Sequence, residues 1–384
     1  MTSGVARRVI LAPDKFKGSL TAPEVAGALA AGIERVAPDV EVVAVPVADG
    51  GDGTVDAFVA AGWEPVRVWA EGPTGVVGDS VYAVRRGAAG RRSERPTAVI
   101  ELARVVGLER LPGGQADPLR ASTFGLGRVI AHALDRGVRD IVLGVGGSAS
   151  SDGGAGMLQA LGLRILDAHG DEVPPGGAAL ARAERIERSG LHPALADTSF
   201  TLASDVDNPL LGPHGAVAVF APQKGADADQ RATLEAALAN WAKLIDPGCA
   251  ERPGAGAAGG TGFGAMAVLG AVERPGIDVV LDLIDFRTLV HAAELVVTGE
   301  GSLDDQTLRG KAPMGVCAAA RAAGIPVVAV AGRCLLAESE LRTAGFEAAL
   351  TLTDLEPDPA RSIAHAAPLL EHLGATLADR FLRR

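Results

Sequence analysis

Short runs of β-branched and aliphatic residues recur along this chain, separated by helix-period patterns, and several of the runs are apolar at consecutive positions. A strand that is apolar on both faces must be covered on both faces, which is the situation of a parallel strand flanked by helices. That restricts the chain to an α/β architecture with a mainly parallel sheet. The strands expected are RVILA (8–12), VEVVAVPV (40–47), VRVWA (66–70), SVYAV (80–84), TAVIEL (97–102), DIVLGV (140–145), SFTLAS (199–204), AVAVFA (216–221), ELVVTG (294–299), PVVAVAG (326–332) and AALTL (348–352).

The first helix has the clearest local code. Thr21 and Glu24 form a capping box, Leu20 and Val25 suit the flanking hydrophobic staple, and Val25, Leu29, Ile33 and Val36 make one apolar stripe, so a helix is expected over 21–37. A second helix is expected from about Ala155 to Gly162. Two strand–helix units at the start and three strands at the end complete a five-stranded, flavodoxin-like layer formed by residues 1–65 and 289–384. Residues 66–288 have closer-spaced strands and hairpin-like polar loops such as RRGAAGRRSERP, and are read as a mixed α/β domain inserted into the first.

Bulk properties narrow the function. A net charge of −11 and a pI near 5.2 argue against a general attraction to nucleic acid or anionic lipid. The amino terminus lacks the apolar core of a signal peptide, and no run approaches the roughly 18 apolar residues of a membrane helix. Cys249, Cys317 and Cys334 are too far apart for a CxxC pair or a disulfide framework, which fits a cytoplasmic protein.

Ligands of open α/β sheets sit in the loops after the carboxyl ends of the strands. Here those loops are DKFKGS (14–19), ADGGDGT (48–54), GGSASSDGGAG (146–156), SDVDNP (204–209) and GEGSLDDQTLRGK (299–311). Each combines carboxylates or lysines with glycine or hydroxyl residues, which points to an anionic ligand handled with a metal. Lys15 and Lys17 flank Phe16 and could grip a carboxylate or phosphate. Asp49 and Asp52 have the spacing to reach one Mg²⁺, and Asp205, followed by Asp207 and the turn-forming Asn208-Pro209, is a further metal or base candidate.

GVGGSASSDGGAG places six glycines, three serines and one aspartate in residues 144–156. Backbone N–H groups of Gly146, Gly147, Gly153 and Gly154, with the hydroxyls of Ser148, Ser150 and Ser151, suit phosphate oxygens, and Asp152 suits a metal or a proton. Glu300, Asp304 and Asp305, with Lys311 at the next helix start, form a second ligand-facing group, and Thr261 among its glycines could line a pocket.

There is no GxxxxGK[ST], no HRDxxxxN with DFG, no HExxH and no GxSxG, so a P-loop, a protein kinase, a zincin and a nucleophile elbow are excluded. Two alternatives stay open. Gly144-x-Gly146-x-x-Ala149, with Asp167 as a ribose acid, fits a relaxed dinucleotide fingerprint and hence a nicotinamide-dependent oxidoreductase acting on a small hydroxy acid, although Ser150–Gly154 interrupts the helix that should begin at the second glycine. A two-domain solute-binding protein is the other, disfavoured by the missing export signal.

Taken together, APDKFKGSLTAPEVA, VPVADGGDGT, GVGGSASSDGGAGMLQALG, ASDVDNPLLGPHGAVAVFAPQKGA, PGAGAAGGTGFGA and VVTGEGSLDDQTLRGKAPMGV resemble the bacterial glycerate kinase type I family, in order and nearly end to end. Ser150-Ser151 stands where the family often has Thr-Asn, and Ser302 where it often has a basic residue. The resemblance implies ATP-dependent phosphorylation of D-glycerate, usually to 2-phosphoglycerate, on two α/β domains with the active site in the cleft between them. On that reading Lys15 and Lys17 hold the glycerate carboxylate or neutralise phosphoryl oxygens, and Asp49, Asp52 and Asp205 organise Mg²⁺. Asp205 or Asp152 accepts the hydroxyl proton, and residues 146–154 with Glu300 and Lys311 hold the ATP phosphates.

Overall fold

The computed structural model describes residues 7–87 and 95–383, so 88–94 of the RRGAAGRRSERP loop lie outside the described residues. The chain begins with strands β1 (Arg8–Pro13) and β2 (Glu41–Ala44). It continues through β3 (Glu64–Glu71), β4 (Val77–Arg85), β5 (Thr97–Glu101), β6 (Asp140–Gly144), β7 (Arg164–Leu166), β8 (Arg185–Glu187), β9 (Ser199–Ala203) and β10 (Val272–Arg274). It ends with β11 (Leu295–Leu303), β12 (Val327–Cys334) and β13 (Ala348–Thr351). These fall in two compact units, the first comprising residues 1–49, 56–62 and 275–384, and the second 50–55 and 63–274. The segment 275–288, expected in the inserted domain, belongs to the first unit.

The first unit holds a parallel five-stranded sheet in the order β13-β12-β11-β1-β2, which within this unit is the 2-1-3-4-5 order of a flavodoxin-like layer. Val9, Leu11, Val297, Val328 and Val330 share a core with Val25, Leu29 and Ile33 of the helix Ala22–Val36 and with Leu370 and Leu377 of the helix Ala366–Leu377. The intervening residues Ile10, Val296, Val327 and Ala329 are also fully buried, and the helix Ala312–Ala322 packs on these strands. The consecutive apolar positions are thus explained by burial on both faces. The first helix starts as its sequence dictates: Thr21 caps the Glu24 N–H while the Glu24 carboxylate accepts from the Thr21 N–H at 2.8 Å.

The second unit holds a six-stranded mixed sheet in the order β10-β9-β6-β5-β4-β3, antiparallel across β3-β4-β5 and parallel from β5 to β10. Strands β7 and β8 pair separately. Its core includes Tyr82, Trp241 and Phe263, each fully buried.

Two expectations are corrected. AVAVFA (216–221) is a helix, Ala216–Phe220, because a short apolar run carries no period that separates a buried helix from a strand. GEGSL is not loop but the end of β11, whose Glu300 and Ser302 pair with Ala331 and Arg333 of β12.

Candidate functional site

In the first unit the carboxyl ends of β1, β2 and β11 gather charge. Asp14 follows β1 directly; its N–H donates to the Gly299 carbonyl at 2.8 Å, and its Oδ1 accepts from the Lys15 N–H at 2.6 Å. Only 8% of Asp14 is exposed. Burial, reinforced by the negative charges of Asp49 and Glu300 and opposed by Lys15, pushes its carboxyl up to about 7. A carboxylate in that range changes protonation at neutral pH, which is what a general base requires. Sequence reasoning passed over Asp14 in favour of the lysines beside it; the only signal was its place as the first residue after a buried strand.

The lysines do not continue the strand. Ser19 and Leu20 N–H groups both donate to the Phe16 carbonyl, closing a tight turn that leaves Phe16 buried, Lys15 half-buried and Lys17 exposed.

Glu300, on β11, accepts from the Thr307 hydroxyl at 2.6 Å and lies 3.7 Å from the Lys311 ammonium. Burial raises its carboxyl above the usual range, with Asp304 and Asp49 adding to the rise and Thr307 and Lys311 opposing it. Asp304 accepts from the Gln306 N–H at 2.9 Å, so it shapes the turn, whereas Asp305 is exposed. Asp14, Asp49, Glu300, Lys15 and Lys311 therefore form one electrostatically coupled group in this unit.

The second unit treats its glycine-rich loops differently. Gly50–Val55 is held by Glu101, a buried carboxylate at the end of β5 that accepts from the Gly53 N–H at 3.1 Å and the Val55 N–H at 3.0 Å. A Cβ on Gly146 would come within 2.7 Å of the Gly51 Cα, so the glycines here permit two backbones to touch. Asp52 is exposed on this segment, whereas Asp49 falls in the first unit.

Residues 146–156 divide sharply. Gly146 and Gly147 retain exposure, while Ser148, Ser150, Ser151, Asp152, Gly153 and Gly154 are buried. Asp152, with no exposed surface, accepts through Oδ2 from the Thr123 N–H and hydroxyl, both at 2.8 Å, from the Gly156 N–H at 3.2 Å and from the Ser122 hydroxyl at 3.3 Å. It anchors the start of the helix Ala155–Ala160 and is not placed to take a substrate proton. Gly153 is covered as well: its carbonyl accepts from the Trp241 indole at 3.1 Å and its N–H donates to Gly259. Ser150, Gly153 and Gly154, expected to contact phosphate, are buried here and packed against the segment 257–264. Thr261 is likewise buried, its hydroxyl donating to the Ala258 carbonyl.

Beneath the loop lies Lys224, which sequence reasoning also missed. Only 2% exposed, it donates to the Ser148 hydroxyl oxygen at 2.7 Å and to the Ser150 carbonyl. Burial lowers its ammonium to about 7, with Asp152 opposing that shift. The available signal was a lysine directly after the apolar run AVAVFAPQ. Asp205 and Asp207 are exposed after β9, with the Asn208 amide donating to the His214 carbonyl to shape the turn.

The dinucleotide alternative fails on this geometry. A Rossmann helix opens at the second glycine of its fingerprint, whereas here the helix starts at Ala155, and Asp167 is a half-buried turn residue accepting from the His169 and Asp171 N–H groups. Among the described residues no three His, Cys, Asp or Glu side chains form a preformed metal cage, and no helix is long and apolar enough to cross a membrane.

Comparison with known proteins agrees with this geometry. The glycerate kinase family model matches residues 9–382. Glycerate kinase of Bacillus subtilis is 40% identical over 375 residues, 97% of each chain, and glycerate 2-kinase of Escherichia coli is 42% identical over 330 residues, 85% of each. A crystal structure from Salmonella typhimurium LT2, assigned as a glycerate kinase 2, superposes with a TM-score of 0.84 at 39% identity, covering 97% of this chain and 98% of that one.

Proposed function

From the premise that this chain belongs to the glycerate kinase family, we propose that it transfers the terminal phosphoryl group of ATP, with Mg²⁺, to D-glycerate, at the 2-hydroxyl in preference to the 3-hydroxyl. The observation that carries the mechanism is the coupled group at the strand ends of the first unit, where a buried aspartate is held near neutrality beside two other carboxylates and two lysines.

Phosphoryl transfer asks a protein chiefly for positioning and charge neutralisation. Lys15 and Lys17 hold the glycerate carboxylate or the transferring oxygens. Asp14 accepts the proton of the attacking hydroxyl, because its charge state responds at neutral pH while Asp152 is locked by four donors. Lys311, tethered by Glu300, reaches the phosphates, and the exposed edge Gly146–Gly147 offers backbone N–H groups to them.

Mg²⁺ fits the donor set. Asp49, Asp52 and Asp205 are hard oxygen donors and no closed cage exists among the described residues, which suits an ion held by one or two carboxylates, water and phosphate oxygens. When bound it neutralises phosphate charge and orients the terminal phosphoryl group.

The test is incubation with Mg-ATP and D-glycerate, with the product identified by NMR. 2-Phosphoglycerate is expected; absence of ATP turnover above background, with nicotinamide-dependent oxidation of a hydroxy acid, overturns the reading.

A further inference from the structure

We infer that Lys224 is a positioning residue that acts through Ser148, fixing this hydroxyl as a dedicated hydrogen-bond donor to an anionic oxygen at the Gly146–Gly147 edge. The inference rests on the phosphate-binding reading of that edge given above. It goes beyond that reading by bringing in Lys224 and by making it the group that fixes the direction of the Ser148 hydroxyl.

The geometry supplies the argument. In its charged form Lys224 has three donors and no acceptor, so any group that the ammonium touches must accept. Lys224 Nζ donates to Ser148 Oγ at 2.7 Å and to the Ser150 carbonyl. With a lone pair of Ser148 Oγ committed to a cation, its O–H is left as the free function and is polarised toward donation. Among the described residues no protein group accepts that proton. Ser148 is 5% exposed and follows exposed Gly147, so the unaccepted proton lies at the margin of the loop that solvent or ligand can reach.

The rest of the loop cannot share the task. Ser150 Oγ, Ser151 Oγ and Asp152 Oδ1 are fully enclosed with no hydrogen-bond partner, so Lys224 and the Oδ2 of Asp152 are the polar anchors of the segment. Space around the ammonium is also reserved. A Cβ on Gly259 would stand 2.9 Å from Lys224 Nζ, at a residue whose φ of +67° already favours glycine. A buried lysine is costly where packing alone is needed, and a methionine would fill the same volume without desolvating a charge. Retaining the ammonium makes sense if its bond to Ser148 is used. Among the described residues Asp152 is the ionisable group that favours the charged form of Lys224, against the burial that disfavours it.

The test uses the full chain with K224M, S148A and the double variant, measuring thermal unfolding, ATP binding by calorimetry, and steady-state kinetics with Mg-ATP and D-glycerate. Each single variant is expected to fold and to lose about 10- to 100-fold in kcat/KM, mainly in kcat because a donor to developing charge strengthens in the transition state. The double variant is expected to be no worse than the poorer single one. Multiplying losses, or a folded K224M with wild-type kcat, overturns the inference. Should K224M fail to fold, S148A decides alone, since it leaves the ammonium and its Ser150 bond in place: wild-type kinetics in S148A overturns the proposal, and loss of kcat with an unchanged melting temperature supports it. ATP binding separates the two levels, because wild-type protein that binds ATP but does not phosphorylate glycerate refutes the substrate assignment while leaving the Lys224–Ser148 effect on ATP affinity measurable.

Discussion

The buried and half-buried carboxylates at the strand ends of the two units differ in the donors that meet them. In the first unit burial drives Asp14 and Glu300 above their ordinary range, and the charge of Asp49 adds to the rise of both, with Lys15 opposing it at Asp14 and Lys311 at Glu300. In the second, burial raises Glu101 as well, but Arg104 and two backbone N–H groups oppose the rise, and Asp152 gathers four donors on one oxygen. One arrangement stores electrostatic imbalance that a cationic or proton-bearing ligand can relieve; the other spends its charge on ordering glycine-rich backbone. A carboxylate beside glycines after a parallel strand is therefore equally compatible with chemistry and with scaffolding, and its donors decide which.

The contrast can be broken most severely at Asp152. Asp152→Ala leaves the Thr123 and Gly156 N–H groups buried without an acceptor, and is expected to cost the second unit about 3–5 kcal/mol. Trp63, Trp69 and Trp241 all belong to that unit, so tryptophan fluorescence during urea unfolding reads it separately. An unchanged midpoint removes Asp152 from the scaffold. Gly259→Ala is next, forcing a side chain into a left-handed conformation against Lys224 and the Ser150 carbonyl, at a cost of about 2 kcal/mol by the same measurement. Lys17→Ala is the mildest: as the side chain is exposed, stability should stay within about 0.5 kcal/mol, while the KM for glycerate rises about tenfold if Lys17 holds its carboxylate. A KM that does not move assigns the carboxylate to Lys15.

Much of the fold is legible in the sequence because its strongest signals are local. The capping box of Thr21 and Glu24 and the apolar runs at β1, β5, β6 and β12 are dictated within a few residues of themselves. The five-strand layer follows from connection length and the crossover rule. AVAVFA is misread because six apolar residues fit either structure and only burial against the helix Ala257–Leu269 settles it. The site is legible as a set of loops but not as roles. Asp14 acquires its character first from burial and then from Asp49 and Glu300, 35 and 286 residues away, and Lys224 meets Ser148 from 76 residues away, distances over which residue type carries no information about burial. Ser150 looks like a phosphate donor until Gly259 is seen packed against its carbonyl, whereas Ser148 stays beside the exposed Gly147.

The central claim, that the chemistry belongs to the unbalanced carboxylates of the first unit, is tested most directly by Asp14→Asn, assayed for stability against pH and for glycerate phosphorylation in one preparation. The folded protein holds Asp14 protonated up to about pH 7, whereas the unfolded chain ionises it near 3.8, so stability from this group is greatest in acid and falls as pH rises through that window. Asparagine removes the loss, and the variant should gain on the wild type between about pH 4 and 7, by at most about 4 kcal/mol, and hold that gain above pH 7. With hydrogen exchange confirming an intact first unit, kcat is expected to fall about 10²- to 10⁴-fold. A folded Asp14→Asn protein that phosphorylates glycerate at the wild-type rate contradicts the account.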